Sequence, residues 1–392
     1  MADLKSIDVD DIVACAAAAL ARASGRTVAL SDVQTVSGEE RRNFIARARA
    51  TYDDGDARSV IVKMTRAPSY DAADDKALAS SGLVREWTAT AYIAAHAPGR
   101  GHGAALLAGD VARGLVVFAD LGADLRSLDR VLLEGTAAEA EQALARYATA
   151  LGRLHADTAA CADAHHATFE AIFGGGRPRR PPGWRVEEDA AAVVRLIGGA
   201  PPASELAFLS SLLADPGAWQ CLTHGDPCPD NALLVDDGIR LIDYEFARPA
   251  HALLDGIYWR IGFPTCWCAG RVPDEVARRV DAVYRAEIAR AIPPARDDDA
   301  YRTEIAYVAT IWLFTCLSWR LDEALKDDTH WGIWSVRGRL LWYLDFVIAM
   351  TAAANVLPGI DACAQGWLAQ LRRRWPDATP LGRYPAFAWN GG

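Results

Sequence analysis

Apolar and polar positions alternate through RNFIARARATY (Arg42–Tyr52), stop at DDGD, and resume as the nearly unbroken apolar run SVIVKM (Ser59–Met64). A period of two puts alternate side chains on opposite faces of a strand, and the Asp-Gly cluster between the runs predicts a hairpin turn. TVALSDVQTV (Thr27–Val36) predicts a strand before this pair, and LAGDVARGLVVFADLG (Leu107–Gly122) a second hairpin whose buried strand is Leu115–Phe118. Two helices complete this region. The first is an amphipathic opening helix with Asp8 or Asp10 near its N-terminus, and the second lies roughly at residues 77–96.

Past Gly122 the period changes to that of a helix. AAEAEQALARYATALGRLHAD (Ala137–Asp157) keeps apolar residues on one face, and nearly everything from Leu253 to Arg374 reads the same way. GGGRPRRPPGW (Gly174–Trp184) is a breaker-rich cationic loop. The apolar run Ile305–Trp319 is too short to span a bilayer, and Leu340–Leu357 carries Asp345, so both predict buried helices and no membrane segment. The expectation is an α+β chain. A small antiparallel-sheet lobe occupies residues 1–119, a connection lies near 118–122, and a large, mainly helical lobe fills 120–392.

Composition changes this picture in three places. A formal net charge of −10 argues against a broad nucleic-acid surface. Four lysines stand against 37 arginines, so Lys5, Lys63, Lys76 and Lys326 are each an exception to the chain's habit. Eight scattered cysteines form no CxxC pair and no zinc spacing, which predicts reduced thiols in a cytoplasmic protein without a secretory leader.

LTHGDPCPDNALLVDDGIRLIDYE (Leu222–Glu245) holds six carboxylates and one histidine in 24 residues. A solvated hairpin would explain the charges; so would a phosphate site. Phosphoryl transfer to a hydroxyl needs a carboxylate near the attacking oxygen and hard oxygen ligands for Mg²⁺. Asp226, Asn231 five residues later, and Asp243 at the end of IRLI supply that set.

HGDPCPDN followed by LIDYE resembles the catalytic signature of the aminoglycoside phosphotransferase and choline kinase families, relatives of protein kinases. The resemblance implies a bilobal protein-kinase-like fold, with a nucleotide-binding lobe, a catalytic loop at 222–245 and acceptor-binding helices at 250–375. It implies Asp226 as catalytic base, and Asn231 and Asp243 as Mg²⁺ ligands. His224 would structure the loop, and Asp255 would brace it through its backbone. Glu245 would serve either the metal shell or substrate, or a salt bridge. Lys63, the lone cation of an apolar strand, would hold the phosphates of ATP or GTP with Glu86 as its partner. Ser37, Gly38 and Asn43 would lie in the phosphate-covering loop, with Glu39-Glu40 opposing and Arg41 or Arg42 compensating. Phe118, Ala119 and Leu121 would meet the purine at the connection.

The acceptor is expected among the C-terminal helices. Trp259, Trp267, Trp312, Trp319, Trp331, Trp334 and Trp342 alternate there with Asp322, Glu323, Asp327, Asp328 and Asp345. Acidic groups suit a polycationic aminosugar; indole faces suit a sugar ring, a planar base or a quaternary amine. The expected function is a Mg²⁺-dependent O-phosphotransferase for a small hydroxyl-bearing molecule, with an antibiotic first, an aminoglycoside before a nucleoside or peptide. A metabolic kinase for choline, a sugar or an amino alcohol is the alternative, and a nucleotide-binding pseudokinase the contrasting class. No HRD, DFG and APE set marks a protein kinase. No obligate protein partner is evident.

Overall fold

The computed structural model describes residues 8–38, 40–67, 70–73, 78–174 and 184–388. Glu39, Lys5, Lys76 and most of the loop 174–184 lie outside the described residues. The chain divides into two compact units. One comprises Met1–Leu125, Cys161–Pro181 and Arg240–Arg248; the other comprises Arg126–Ala160, Pro182–Ile239 and Pro249–Gly392. The chain passes between the units several times.

The first unit opens with helix α1 (Val9–Ser24), whose N-cap Asp8 accepts hydrogen bonds from the N–H groups of Asp10 and Asp11. Strands β1 (Val28–Thr35), β2 (Asn43–Tyr52) and β3 (Ala57–Thr65) follow. Helix α2 (Leu78–His96) comes next, and then strands β4 (Leu106–Asp110) and β5 (Leu115–Ala119). They form a five-stranded antiparallel sheet in the order β1-β2-β3-β5-β4. Alternation in β2 turns Phe44, Ala46, Ala48 and Ala50 to a core shared with Ile12, Ala16, Val60, Val62 and Leu115. On the other face, Val116 and Phe118 meet Leu83 and Trp87 of α2. That packing gives α2 a fixed register on the sheet, and helix Ala162–Phe173 docks on α2 through Phe173 against Trp87.

The second unit is mainly helical. Its longest helix, Asp298–Lys326, begins at Asp297, which caps the N–H groups of Asp299 and Ala300, and buries one face from Tyr301 to Ala324. It packs on Val336–Ala354, while Ala137–Asp157 packs on Asp274–Ile288. Among the described residues no helix is long and apolar enough to cross a membrane. Strands Gln220–Thr223 and Arg248–His251 pair, and the segment carrying Asp226 leaves the first of these.

Candidate active site

In the first unit, β3 buries Lys63 (5% exposed) at register with Val116 of β5. A bare ammonium there would be strongly disfavoured, and two carboxylates meet it. Lys63 Nζ lies 2.6 Å from Glu86 Oε2 of α2 and 2.6 Å from Asp243 Oδ1. Burial opposes the ammonium's charge, but Glu86 and Asp243 outweigh it and push its pKa upward. Glu86 is shifted upward as well. Burial and the charge of Asp243 raise its carboxyl to about 7 against the pull of Lys63. Glu245, also buried, is raised by burial and by Asp243. The ammonium thus sits between two carboxylates, Glu86 and Asp243, hard oxygens of the kind a divalent cation takes.

Asp243 has φ +66° just beyond the strand Gly238–Leu241, a left-handed conformation that aspartate tolerates better than most residues. Glu245 forms a salt bridge to Arg42 (2.6 Å), and Arg85 donates to its main-chain oxygen at 2.7 Å. Of its two expected roles, the salt bridge is the one its contacts display. Arg42, rather than exposed Arg41, is the loop cation that reaches this cluster.

The expected nucleotide contacts divide. Ser37 is turned inward: its Oγ accepts from the Ile45 N–H at 2.9 Å, and its own N–H donates to Ile45 O. Gly38 is exposed, and Asn43 opens β2 opposite Thr65. Phe118 is buried in β5, and Leu121 is half-buried beyond it. The Ala119 N–H donates to Ala105 O at 2.8 Å, so that donor is not open to a purine. Asp120, absent from the sequence expectations, fixes this turn. It accepts from Arg47 Nε (2.6 Å), Ser59 Oγ (2.7 Å) and Gly122 N–H (3.1 Å). The arginine alternation in β2 was the available signal.

In the second unit, Asp255 is 1% exposed and accepts from the N–H groups of His224 (2.6 Å) and Gly225 (3.2 Å). His155 Nε2 lies 3.3 Å from the same carboxylate, and its Nδ1 2.8 Å from Tyr284 Oη. Asp255 thus holds the start of the loop by its backbone N–H groups and reaches two helices through the His155 ring and the Tyr284 hydroxyl beyond it, and His224 contributes as a buried part of that brace. The Asn231 amide nitrogen donates to the Asp226 main-chain oxygen at 3.0 Å, so the other terminal atom of that side chain is its acceptor oxygen. Tyr147 Oη donates to Pro227 O at 2.5 Å.

One expectation is overturned. Cys228 and Cys266 form a disulfide, 38 residues apart, whereas reduced thiols were expected throughout. No local motif announces the pair, since only the tertiary fold brings the two segments together. The other six cysteines are free. Asp226, Cys228 and Cys266 cluster as metal ligands would, but the S–S bond occupies both sulfurs.

A family model described as the phosphotransferase enzyme family matches residues 92–289, half of this 392-residue chain. The chain belongs to that family. The matched span holds Asp226, Asn231, Asp243 and Asp255. No curated protein matches the chain. Similar solved structures include a choline/ethanolamine kinase family protein from Mesorhizobium loti, 15% identical, covering 93% of this chain and 99% of its own, with a TM-score of 0.42. Choline kinase LicA from Streptococcus pneumoniae is 14% identical over 82% of this chain and 94% of its own, with a TM-score of 0.42. A thermostable aminoglycoside phosphotransferase is 14% identical over 84% and 96%, also with a TM-score of 0.42. By family the chain is thus a phosphotransferase enzyme.

Proposed function

We propose that this phosphotransferase moves the γ-phosphoryl group of ATP or GTP, with Mg²⁺, to a hydroxyl of a small molecule, and that the acceptor is an antibiotic. The observation that carries the reaction is the pair of settings above: a buried Lys63–Glu86 pair sharing Asp243, and a catalytic loop braced by Asp255. Lys63 holds the nucleotide phosphates. Asp243 and Asn231 would each offer Mg²⁺ an oxygen ligand, and the ion would supply charge neutralisation on those phosphates. Asp226 orients the acceptor hydroxyl and takes its proton as the phosphoryl group moves in line.

The acceptor choice shifts from the sequence expectation. An aminoglycoside was first because of the acidic residues, yet most of these are already engaged. Asp322 pairs with Lys326, Asp345 with Arg372, Glu323 with Arg320, and Asp328 accepts the Arg337 N–H. The tryptophans divide too. Trp259 and Trp312 are core, whereas Trp267 (41%) and Trp319 (52%) are exposed. Arg320 lies 3.9 Å over Trp319 and 4.5 Å over Trp331, so a cation already covers those rings. A second cation is disfavoured there. We therefore place an acceptor with an uncharged ring, such as a nucleoside antibiotic, ahead of a polycationic aminosugar or a quaternary amine.

The test is Mg²⁺-dependent nucleotide consumption, with ATP and with GTP, against nucleoside and peptide antibiotics, aminoglycosides, choline and simple sugars, using Asp226→Ala as blank. Turnover with ring-bearing neutral acceptors supports this order. Turnover confined to aminoglycosides or choline overturns it while leaving the reaction class standing.

A further inference from the structure

The catalytic loop is gripped by three consecutive residues of one segment. Thr265 Oγ1 donates to Asp226 Oδ1 at 2.7 Å, Cys266 is bonded to Cys228, and Trp267 Nε1 donates to Asp230 Oδ2 at 2.9 Å. Alternate residues of the loop, 226, 228 and 230, thus meet residues 265, 266 and 267 in order. All six lie in the second unit.

This strap is itself anchored. Gly262 (φ +91°) and Phe263 (φ +56°) reverse the chain at its start, and the Cys266 N–H closes back on Phe263 O at 3.1 Å. From behind, the buried guanidinium of Arg339 donates to Cys266 O (2.8 Å), Trp267 O (3.0 Å) and Trp331 O. Beneath the strap, Tyr258 Oη is 3.3 Å from Thr265 Oγ1. Burial and then the charge of Asp226 push the Tyr258 phenol well above its ordinary pKa, so it remains a donor. With Thr265 donating to Asp226, the order runs Tyr258 to Thr265 to Asp226. Cys228 Sγ is 3.1 Å from the same Asp226 oxygen and 3.5 Å from Thr265 Oγ1. The disulfide is therefore the covalent tie closest to both ends of that hydrogen bond.

We propose that Thr265 is a positioning residue for Asp226, that the Cys228–Cys266 disulfide holds it in place, and that turnover therefore depends on that bond being intact. This rests on the reading of Asp226 as the catalytic base. The hydroxyl of Thr265 fixes one carboxylate oxygen, and so sets the direction from which Asp226 meets the acceptor hydroxyl. A dithiol reductant delivers two electrons and two protons to the pair, breaks the S–S bond, leaves two thiols and becomes a disulfide itself. The strap then keeps only its hydrogen bonds to the loop. Cys228 as a thiol also becomes a second donor beside Asp226 and competes with Thr265 for the same oxygen.

Thiol blocking followed by peptide mapping without reductant needs no acceptor, and it reads the bond directly. A linked Cys228–Cys266 peptide is expected, and free thiols at both positions overturn the staple. Kinetics of the full chain with Mg²⁺·ATP and the acceptor panel then compare Thr265→Val with Thr265→Ser. Displacement of a reacting group by a fraction of an ångström to an ångström costs up to about 100-fold. Thr265→Val is accordingly expected to lower kcat by about 10- to 100-fold, with KM for ATP changed by less than about threefold, and Thr265→Ser to restore most of kcat. Dithiothreitol should lower kcat of the native enzyme reversibly and leave Cys266→Ser unaffected. Val and Ser variants with equal kcat would overturn the positioning role, as would reductant-insensitive kcat for the staple. If Thr265→Val does not fold, the Ser variant and the reductant arm still decide. Retained turnover in Asp226→Ala defeats the underlying reading instead, whatever Thr265 shows.

Discussion

Glu86 shares its buried space with an ammonium that also faces Asp243, and its carboxyl rises from an ordinary 4.5 to about 7. Between those values the folded chain binds more protons at this position than the unfolded chain does. The stability it contributes is therefore fully present below pH 4.5 and is lost as pH rises through about 7. Urea midpoints measured across that window should fall less steeply with pH in Glu86→Gln than in the native chain; parallel curves would contradict the assignment. Lys63→Met removes the cation and leaves buried carboxylates facing one another. Loss of one partner from a buried pair costs about 3–5 kcal/mol, so the midpoint should fall clearly, and Mg²⁺·ATP binding should weaken at the same time. A variant that keeps its nucleotide affinity would separate Lys63 from the phosphates.

At the scale of elements, the loop that carries Asp226 depends on a brace. Asp255 satisfies two backbone donors, the one on His224 buried, and a buried donor left without a partner costs about 1–3 kcal/mol. Asp255→Ala should lower kcat and stability together, whereas Asp226→Ala, which deprives only the part-buried Thr265 hydroxyl of its acceptor, should lower kcat with a smaller loss of stability. Equal stability losses would mean that Asp226 is itself part of the brace. Much of this was legible in the sequence. The β2–β3 hairpin follows from a period of two broken by Asp-Asp-Gly-Asp, and Lys63 stands out as a charge inside an apolar run. The pairing of Ala119 with Ala105 was not legible, because the chain just before β4 carries no strand pattern. Nor was the strap: Thr265, Cys266 and Trp267 reach the loop only after Gly262 and Phe263 reverse the chain. Such a turn shows in backbone angles and not in hydrophobic spacing. Nor was the turn at Ser37 legible, since a small polar residue in a loop can satisfy nearby backbone as readily as a phosphate.

For the whole molecule, two units predict more than one unfolding event. Every described tryptophan except Trp87 lies in the second unit, so native fluorescence follows mainly that unit. Unfolding followed by fluorescence and by circular dichroism should give different midpoints, with Asp255→Ala moving the fluorescence midpoint more. Coincident transitions in both proteins would show a single cooperative unit. The account as a whole meets its most direct test in the product. Mass spectrometry of panel acceptors incubated with Mg²⁺ and ATP or GTP should reveal a phosphorylated hydroxyl with the native chain and none with Asp226→Ala, while both proteins bind the nucleotide. Phosphorylated product at the native rate from Asp226→Ala, or a native chain that binds no nucleotide, would contradict it.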